Sequence, residues 1–310
     1  MGEVKAIRGV DFSVDEGESV GVVGESGSGK SVTSLSVMRL LPYPGRVTEG
    51  EILLRGENIL SMSSAAMRAL RGDRISMIFQ DPMTSLNPVF TIGDQIIEAM
   101  AVHGRAGRGA ASRERAAGLL ELVGIPEASR RAAMYPHEFS GGMRQRAMIA
   151  MALSCGPELL IADEPTTALD VTIQAQILDL MTELKLKTGT SVILITHDLG
   201  VVSETCSRII VMYGGQIMEE SPSDELFENP LHPYTRGLLR CVPANAAGSR
   251  KRLAPIPGTP PDLISPPEGC PFAPRCQEAM RICHLYRPGF YLRGAAHRTA
   301  CWKLDEEAPR

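Results

Sequence analysis

The sequence predicts an α/β domain with a mainly parallel sheet, followed by a small cysteine- and proline-rich module. Three observations carry that prediction. Short apolar runs recur between Ser19 and Met212 with helix-like stretches between them, the pattern of a sheet covered on both faces. The first of these runs leads straight into a glycine-rich loop and a helix. Beyond residue 243 the composition changes to proline-dense chain that carries four of the seven cysteines. The expected domains are therefore 1–243 and 244–310.

The elements follow in order. Val10, Phe12 and Val14 alternate with polar residues, which predicts a half-buried strand. Glu16-Gly17-Glu18 turns the chain into Ser19–Val23, an apolar run suited to a buried parallel strand. A helix is expected from Lys30 to Leu41, stopped by Pro42 and Pro44. Glu51–Leu54 and Ile75–Phe79 read as further strands. The stretch from about 92 to 155 is helical in pattern and interrupts the strands, so it is expected as an inserted helical subdomain. Strand signals return at Leu159–Ala162, Val192–Ile195 and Ile209–Met212. In the tail, Pro255, Pro257, Pro260, Pro261, Pro266, Pro267, Pro271 and Pro274 exclude regular helix.

Bulk properties narrow the function. The chain has 310 residues, 44% hydrophobic and 22% charged, as in an ordinary globular protein. A formal net charge of −4 argues against a nucleic-acid partner, which would require a basic face. No apolar run approaches the roughly 20 residues that span a bilayer, and no apolar signal core opens the chain. The expectation is a cytoplasmic protein whose membrane role, if any, comes through partners.

Gly24-Glu25-Ser26-Gly27-Ser28-Gly29-Lys30-Ser31 fits G-x-x-x-x-G-K-[ST] between a buried strand and a helix. Glycines let the backbone wrap phosphates, with N–H groups pointing inward at a helix start. Lys30 supplies a point charge to the β- and γ-phosphates, and the Ser31 hydroxyl can hold Mg²⁺, with Val32 completing the binding stretch. Leu159–Ala162 ends in Asp163-Glu164, placing acids at the end of a parallel strand. Asp163 can reach Mg²⁺ and Glu164 can polarise an attacking water. Ser140-Gly141-Gly142 opens a helix with Ser140 as N-cap, a pattern that by itself reads more readily as a simple cap than as an anion site.

The P-loop, Phe139-Ser140-Gly141-Gly142-Met143, Leu159 to Asp170, Gln80 after its strand and His197 after Val192–Thr196 together resemble the nucleotide-binding subunit of ABC transporters. The resemblance covers roughly residues 1–245 and implies a P-loop NTPase that hydrolyses ATP with Mg²⁺. It implies that Gln80 senses Mg²⁺ and couples to membrane subunits. Ser140, Gly141 and Gly142 form the signature that touches ATP held by an opposite subunit, Asp170 is the D-loop aspartate, and His197 contacts the γ-phosphate. Met143 stands where the family carries glutamine. No aromatic residue precedes Phe12, where the family stacks adenine, so a shortened start and weaker nucleotide binding are expected. Phe79-Gln80-Asp81-Pro82-Met83-Thr84-Ser85-Leu86-Asn87-Pro88 and Asn229-Pro230-Leu231-His232-Pro233-Tyr234-Thr235 resemble the oligopeptide, dipeptide and nickel importers. That implies a peptide importer, with nickel or another small solute as the alternative and a non-transport ATPase behind both. The implied partners are a second ATPase subunit, two permeases and an external solute-binding protein at the cytoplasmic face of the membrane.

Cys270, Cys276, Cys283 and Cys301 give C-x₅-C-x₆-C-x₁₇-C, which matches neither common zinc nor ferredoxin spacing. Four thiolates could hold Zn²⁺ or an iron–sulfur cluster, or remain reduced thiols. The resemblance to peptide-importer ATPases implies a [4Fe–4S] cluster here. His284 and His297 are expected to be exposed, and Arg275, Arg281 and Arg287 to bond cluster sulfurs or face solvent.

Overall fold

The computed structural model describes residues 2–80, 85–107, 109–167, 169–241 and 255–308. Asp81–Thr84 and Ala168 of the motifs, and the expected boundary at 243/244, lie outside them. The strands are β1 (Ser19–Val23), β2 (Leu53–Leu54), β3 (Glu57–Asn58), β4 (Ile75–Ile78), β5 (Leu159–Asp163), β6 (Ser191–Thr196), β7 (Arg208–Tyr213), β8 (Gln216–Pro222), β9 (Tyr291–Arg293) and β10 (His297–Thr299). The helices are α1 (Lys30–Val37), α2 (Ser64–Leu70), α3 (Ile92–Val102), α4 (Ala110–Leu122), α5 (Ala128–Arg131), α6 (Gly141–Leu153), α7 (Val171–Thr188), α8 (Leu199–Thr205), α9 (Ser223–Glu228), α10 (Pro233–Cys241) and α11 (Arg281–Leu285). No helix among the described residues is long and apolar enough to cross a membrane.

The chain divides into two compact units. The first comprises 1–14, 19–33 and 194–310. Within it β1 pairs with β7 in parallel, Val20 opposite Arg208 and Val23 opposite Val211. β7 then pairs antiparallel with β8, β8 with β10, and β10 with β9. Val20, Val23, Ile209, Ile210 and Val211 are wholly buried, because a parallel strand covered on both faces buries successive side chains alike. The cysteine-bearing tail contributes β9 and β10 to this unit.

The second unit comprises 15–18 and 34–193. Here β4 and β5 pair in parallel, Ile75 opposite Leu159 and Ile78 opposite Ala162. The insertion from α3 through α6 is helical throughout its described secondary structure. Ile92, Ile96, Met100, Leu120 and Ile149 form its buried core. Their i, i+4, i+8 spacing on α3 puts three of them on one face.

Three sequence expectations change in detail. Residues 10–14 keep the expected burial alternation but form no strand. Arg208 Nη2 donates to the Ser13 carbonyl at 2.6 Å and Arg298 donates to that of Asp11, so guanidinium groups serve this backbone where a ladder was expected. α1 ends at Val37 and not at Leu41, because Arg39 turns left-handed at φ 49°. Its guanidinium donates to the carbonyls of Ile59 and Met62, at 3.2 and 2.7 Å. The third concerns Glu51–Leu54, of which Leu53–Leu54 alone is a strand, in a short hairpin with Glu57–Asn58.

Candidate functional site

The first unit carries the glycine-rich loop. Lys30 is buried, and its Nζ donates to the carbonyls of Gly24 at 2.6 Å and Glu25 at 3.0 Å and to Ser28 Oγ at 3.4 Å. The loop thus folds around its own lysine head, the position from which a point charge serves phosphate oxygens. Gly24 has no room for a side chain, since a Cβ there would strike the Met212 carbonyl and Ser28 Oγ. Gly27 differs: its φ of 76° needs glycine, yet nothing lies within 4 Å of a Cβ. Ser26 and Gly27 are exposed at the tip, while Ser28, Gly29 and Lys30 are buried and Ser31 and Val32 partly so. His197, just past the end of β6, is exposed in the same unit. Asp198 caps α8 beside it, accepting from Gly200 N at 2.8 Å.

The second unit carries the acidic strand end, the glutamine and the signature. Asp163 is 5% exposed at the end of β5. Glu164 follows with φ 47°, a left-handed conformation that costs a non-glycine residue on the order of 1 kcal/mol or more. The reversal throws its carboxylate out of the strand line, where Oε2 accepts from Gln80 Nε2 at 2.9 Å and from Thr167 Oγ1 at 2.9 Å. Two residues predicted separately thus meet. Thr167 was not singled out from the sequence, although a hydroxyl three residues past the acid was the available signal.

Ser140 caps α6, accepting from Met143 N at 3.3 Å, and stands exposed with Phe139 buried behind it. Gly142 lets this helix approach α7 closely: a Cβ there would lie 2.8 Å from Ile173 Cγ2, whereas one at Gly141 would meet Leu169 at an ordinary 3.7 Å. Asp170 caps α7, its Oδ1 accepting from Ile173 N at 2.9 Å.

In the tail, Cys270, Cys276, Cys283 and Cys301 all line one cavity of about 20 Å³, with His232, Phe272 and Trp302. The four thiols are unbridged. Burial pushes the Cys270 thiol up to about 12 and that of Cys301 up to about 11. Among the described residues no three His, Cys, Asp or Glu side chains are gathered as ligands of one metal ion. The convergence and the soft donor set suit a thiophilic group in kind, while a cavity of this size has room for about one water. His284 is exposed as expected, but His297 is fully buried: its Nε2 lies 2.7 Å from Glu219 and its Nδ1 3.2 Å from Glu225. Arg287 is exposed as expected and donates to the Arg8 carbonyl at 2.7 Å, whereas the Arg275 side chain departs from solvent, being 5% exposed.

Comparison with known proteins places this geometry. The ABC transporter family model matches residues 7–167. The model of the oligopeptide/dipeptide transporter C-terminal region matches residues 218–283. The chain is 55% identical to a probable peptide ABC transporter ATP-binding protein, y4tR of Sinorhizobium fredii, over 97% of this chain and 90% of the relative. It is 54% identical to the dipeptide transport ATP-binding protein DppD of Bacillus subtilis, over 99% of this chain and 91% of the relative. The oligopeptide transport protein OppD of the same organism is 53% identical over 100% and 86%. Among solved structures, the ATP-binding cassette MJ0796 bound to ADP and Pi is similar with a TM-score of 0.62 at 30% identity, covering 70% of this chain and 90% of that one.

Proposed function

We propose a division of labour among the site residues of a chain that belongs to the ABC transporter ATP-binding family, in its oligopeptide/dipeptide branch, and is the ATPase of a peptide importer. Gly24 to Val32 bind the ATP phosphates through backbone N–H groups, with Lys30 on the β- and γ-phosphates. The Ser31 hydroxyl, the Asp163 carboxylate and Gln80 are hard oxygen donors suited to Mg²⁺, which neutralises phosphate charge when bound. Glu164 orients the attacking water and accepts its proton, and His197 contacts the γ-phosphate. Ser140, Gly141 and Gly142 reach the nucleotide of an opposite ATPase subunit, with Asp170 at the contact between the two subunits.

The observation that carries this reading is the Glu164 carboxylate held between Gln80 and Thr167 on a left-handed strand end. Holding a base in one orientation before substrate arrives is how a protein makes a proton acceptor effective. In the assembled importer, Glu164→Gln should keep ATP bound and slow hydrolysis at least on the order of 100-fold. Turnover at the parent rate would remove Glu164 as the base.

The working assembly is two different ATPase subunits under two permeases, fed by an extracytoplasmic solute-binding protein, with this chain at the cytoplasmic face. No nucleic acid takes part. Mass measurement of the solubilised complex separates a heterodimer of ATPases from a homodimer. The four cysteines hold a [4Fe–4S] cluster, supported by their convergence on one cavity. Anaerobic purification with iron, sulfide and zinc analysis tests this: iron with matching sulfide supports it, and zinc or no metal removes it.

A further inference from the structure

Glu25 is the first variable residue of the phosphate-binding loop, and two remote segments hold it from outside. Its backbone N–H donates to Tyr234 Oη at 2.8 Å. Its carboxylate receives both arms of Arg275, Nη1 to Oε2 at 2.5 Å and Nη2 to Oε1 at 3.0 Å, a bidentate pair.

Neither partner can easily move. Tyr234 is fully buried, with ring centroids 4.6 Å from Tyr213 and 5.2 Å from Phe272. Its own N–H donates to His232 Nδ1 at 3.0 Å. The Arg275 side chain is 5% exposed, and its other bonds run to the carbonyls of Pro257 and Ile256 and to Tyr213 Oη, at 2.9, 3.1 and 3.0 Å. The guanidinium also lies over the Tyr213 ring, 5.6 Å from its centroid. Side chains so fully engaged hold their partner in one place.

The chemistry of the loop gives this grip a purpose. A bare carboxylate one residue past Gly24 would repel bound polyphosphate, most strongly where water is excluded. Pairing with Arg275 neutralises it, and the Tyr234 hydroxyl takes up a backbone N–H that would otherwise need another acceptor. We propose that Arg275 and Tyr234 are positioning residues of the ATP site, acting through Glu25 to set the first turn of the phosphate-binding loop and to cancel its charge. The P-loop of this protein is thereby braced by the Leu231–Thr235 segment and by the Cys270–Cys276 loop of the tail.

The inference rests on reading residues 24–32 as the ATP site, and Lys30→Ala tests that separately: its failure to weaken ATP binding would sink the reading itself. On the full chain, ATP affinity is measured by titration for Arg275→Met, Glu25→Gln, the double variant, Arg275→Lys and Tyr234→Phe. Arg275→Met should lose tenfold or more, because Glu25 is left unpaired beside the phosphates. Adding Glu25→Gln should recover most of that loss, which simple damage to the fold would not allow. Arg275→Lys should fall between, keeping the charge without the fork. In the assembled importer, KM for ATP should rise more than kcat falls. Parent affinity in Arg275→Met, or losses that merely add in the double variant, overturns the proposal. Should Arg275→Met not fold, Tyr234→Phe decides: a threefold or greater loss supports the brace, and parent affinity overturns it.

Discussion

Glu219 offers the sharpest test of what holds the first unit together. Its carboxylate is fully buried, and every bond it makes comes from a donor. Oε1 accepts from Leu231 N at 2.7 Å and pairs with His297 Nε2 at 2.7 Å, while Oε2 accepts from His232 N at 2.9 Å. Glu219→Gln keeps the shape and removes the charge. Whichever way the new amide turns, its NH₂ faces a backbone N–H, of His232 in one orientation and of Leu231 in the other. One buried donor is then unsatisfied, at about 1–3 kcal/mol. The buried His297 also loses its charged partner, and breaking such a pair costs about 3–5 kcal/mol in all, the lost bond included. Urea unfolding at pH 6, followed by the fluorescence of Trp302, the only tryptophan, measures the difference. A loss below about 1 kcal/mol would show that the network contributes little.

The same cluster has a pH signature. Burial works to lower the His297 pKa, but the bonds to Glu219 and Glu225 outweigh it and raise the value above the usual 6.5. A raised histidine stabilises fully below its unfolded pKa and loses that contribution as pH rises through the folded one. Burial pushes His232 the other way, down to about 4, so its contribution shrinks as pH falls below 6.5. The stability difference between the parent and His297→Gln should therefore narrow above pH 6.5, and a difference constant up to pH 9 would contradict the charged pair. At the signature helix, Gly142→Ala should destabilise by about 1–3 kcal/mol, as a methyl forced against Ile173, while Gly141→Ala should be nearly neutral. Thermal unfolding of the two variants side by side checks the contrast.

What the sequence disclosed was what short stretches of chain decide. A buried strand, a glycine loop and a lysine at fixed offsets need only local backbone geometry, so Gly24 to Val32 read directly. The acid pair at the end of β5 and the cap at Ser140 are equally local. Residues whose work depends on distant chain were not legible. Arg275 lies 250 positions from Glu25 and Tyr234 lies 209 from it, and neither pattern nor periodicity encodes such pairings. His297 was misjudged for the same reason, because its partner Glu219 lies 78 positions away. A polar residue in a short tail reads as exposed until the strand it pairs with is known. Residues 10–14 show the complementary failure: alternation correctly gave the half-buried face, but carbonyl satisfaction by Arg208 and Arg298 was invisible.

The Glu219 cluster and the P-loop brace share a connection. His232 donates its backbone N–H to Glu219, and its Nδ1 accepts from Tyr234 N, whose hydroxyl accepts from Glu25 N. The backbone turn that presents Tyr234 to the loop is thus pinned by the carboxylate that pairs with His297 in β10. If the pin matters to the turn, Glu219→Gln should weaken ATP binding as well as stability, although it lies outside the phosphate loop. Part of the 1–3 kcal/mol tied to one unsatisfied donor would appear in the nucleotide equilibrium, corresponding to about a threefold to tenfold loss of affinity. The titration is made at a urea-free pH 6, where the variant remains folded by Trp302 fluorescence. Parent affinity with lowered stability would mean that Tyr213 and Phe272 hold Tyr234 in place without help from Glu219.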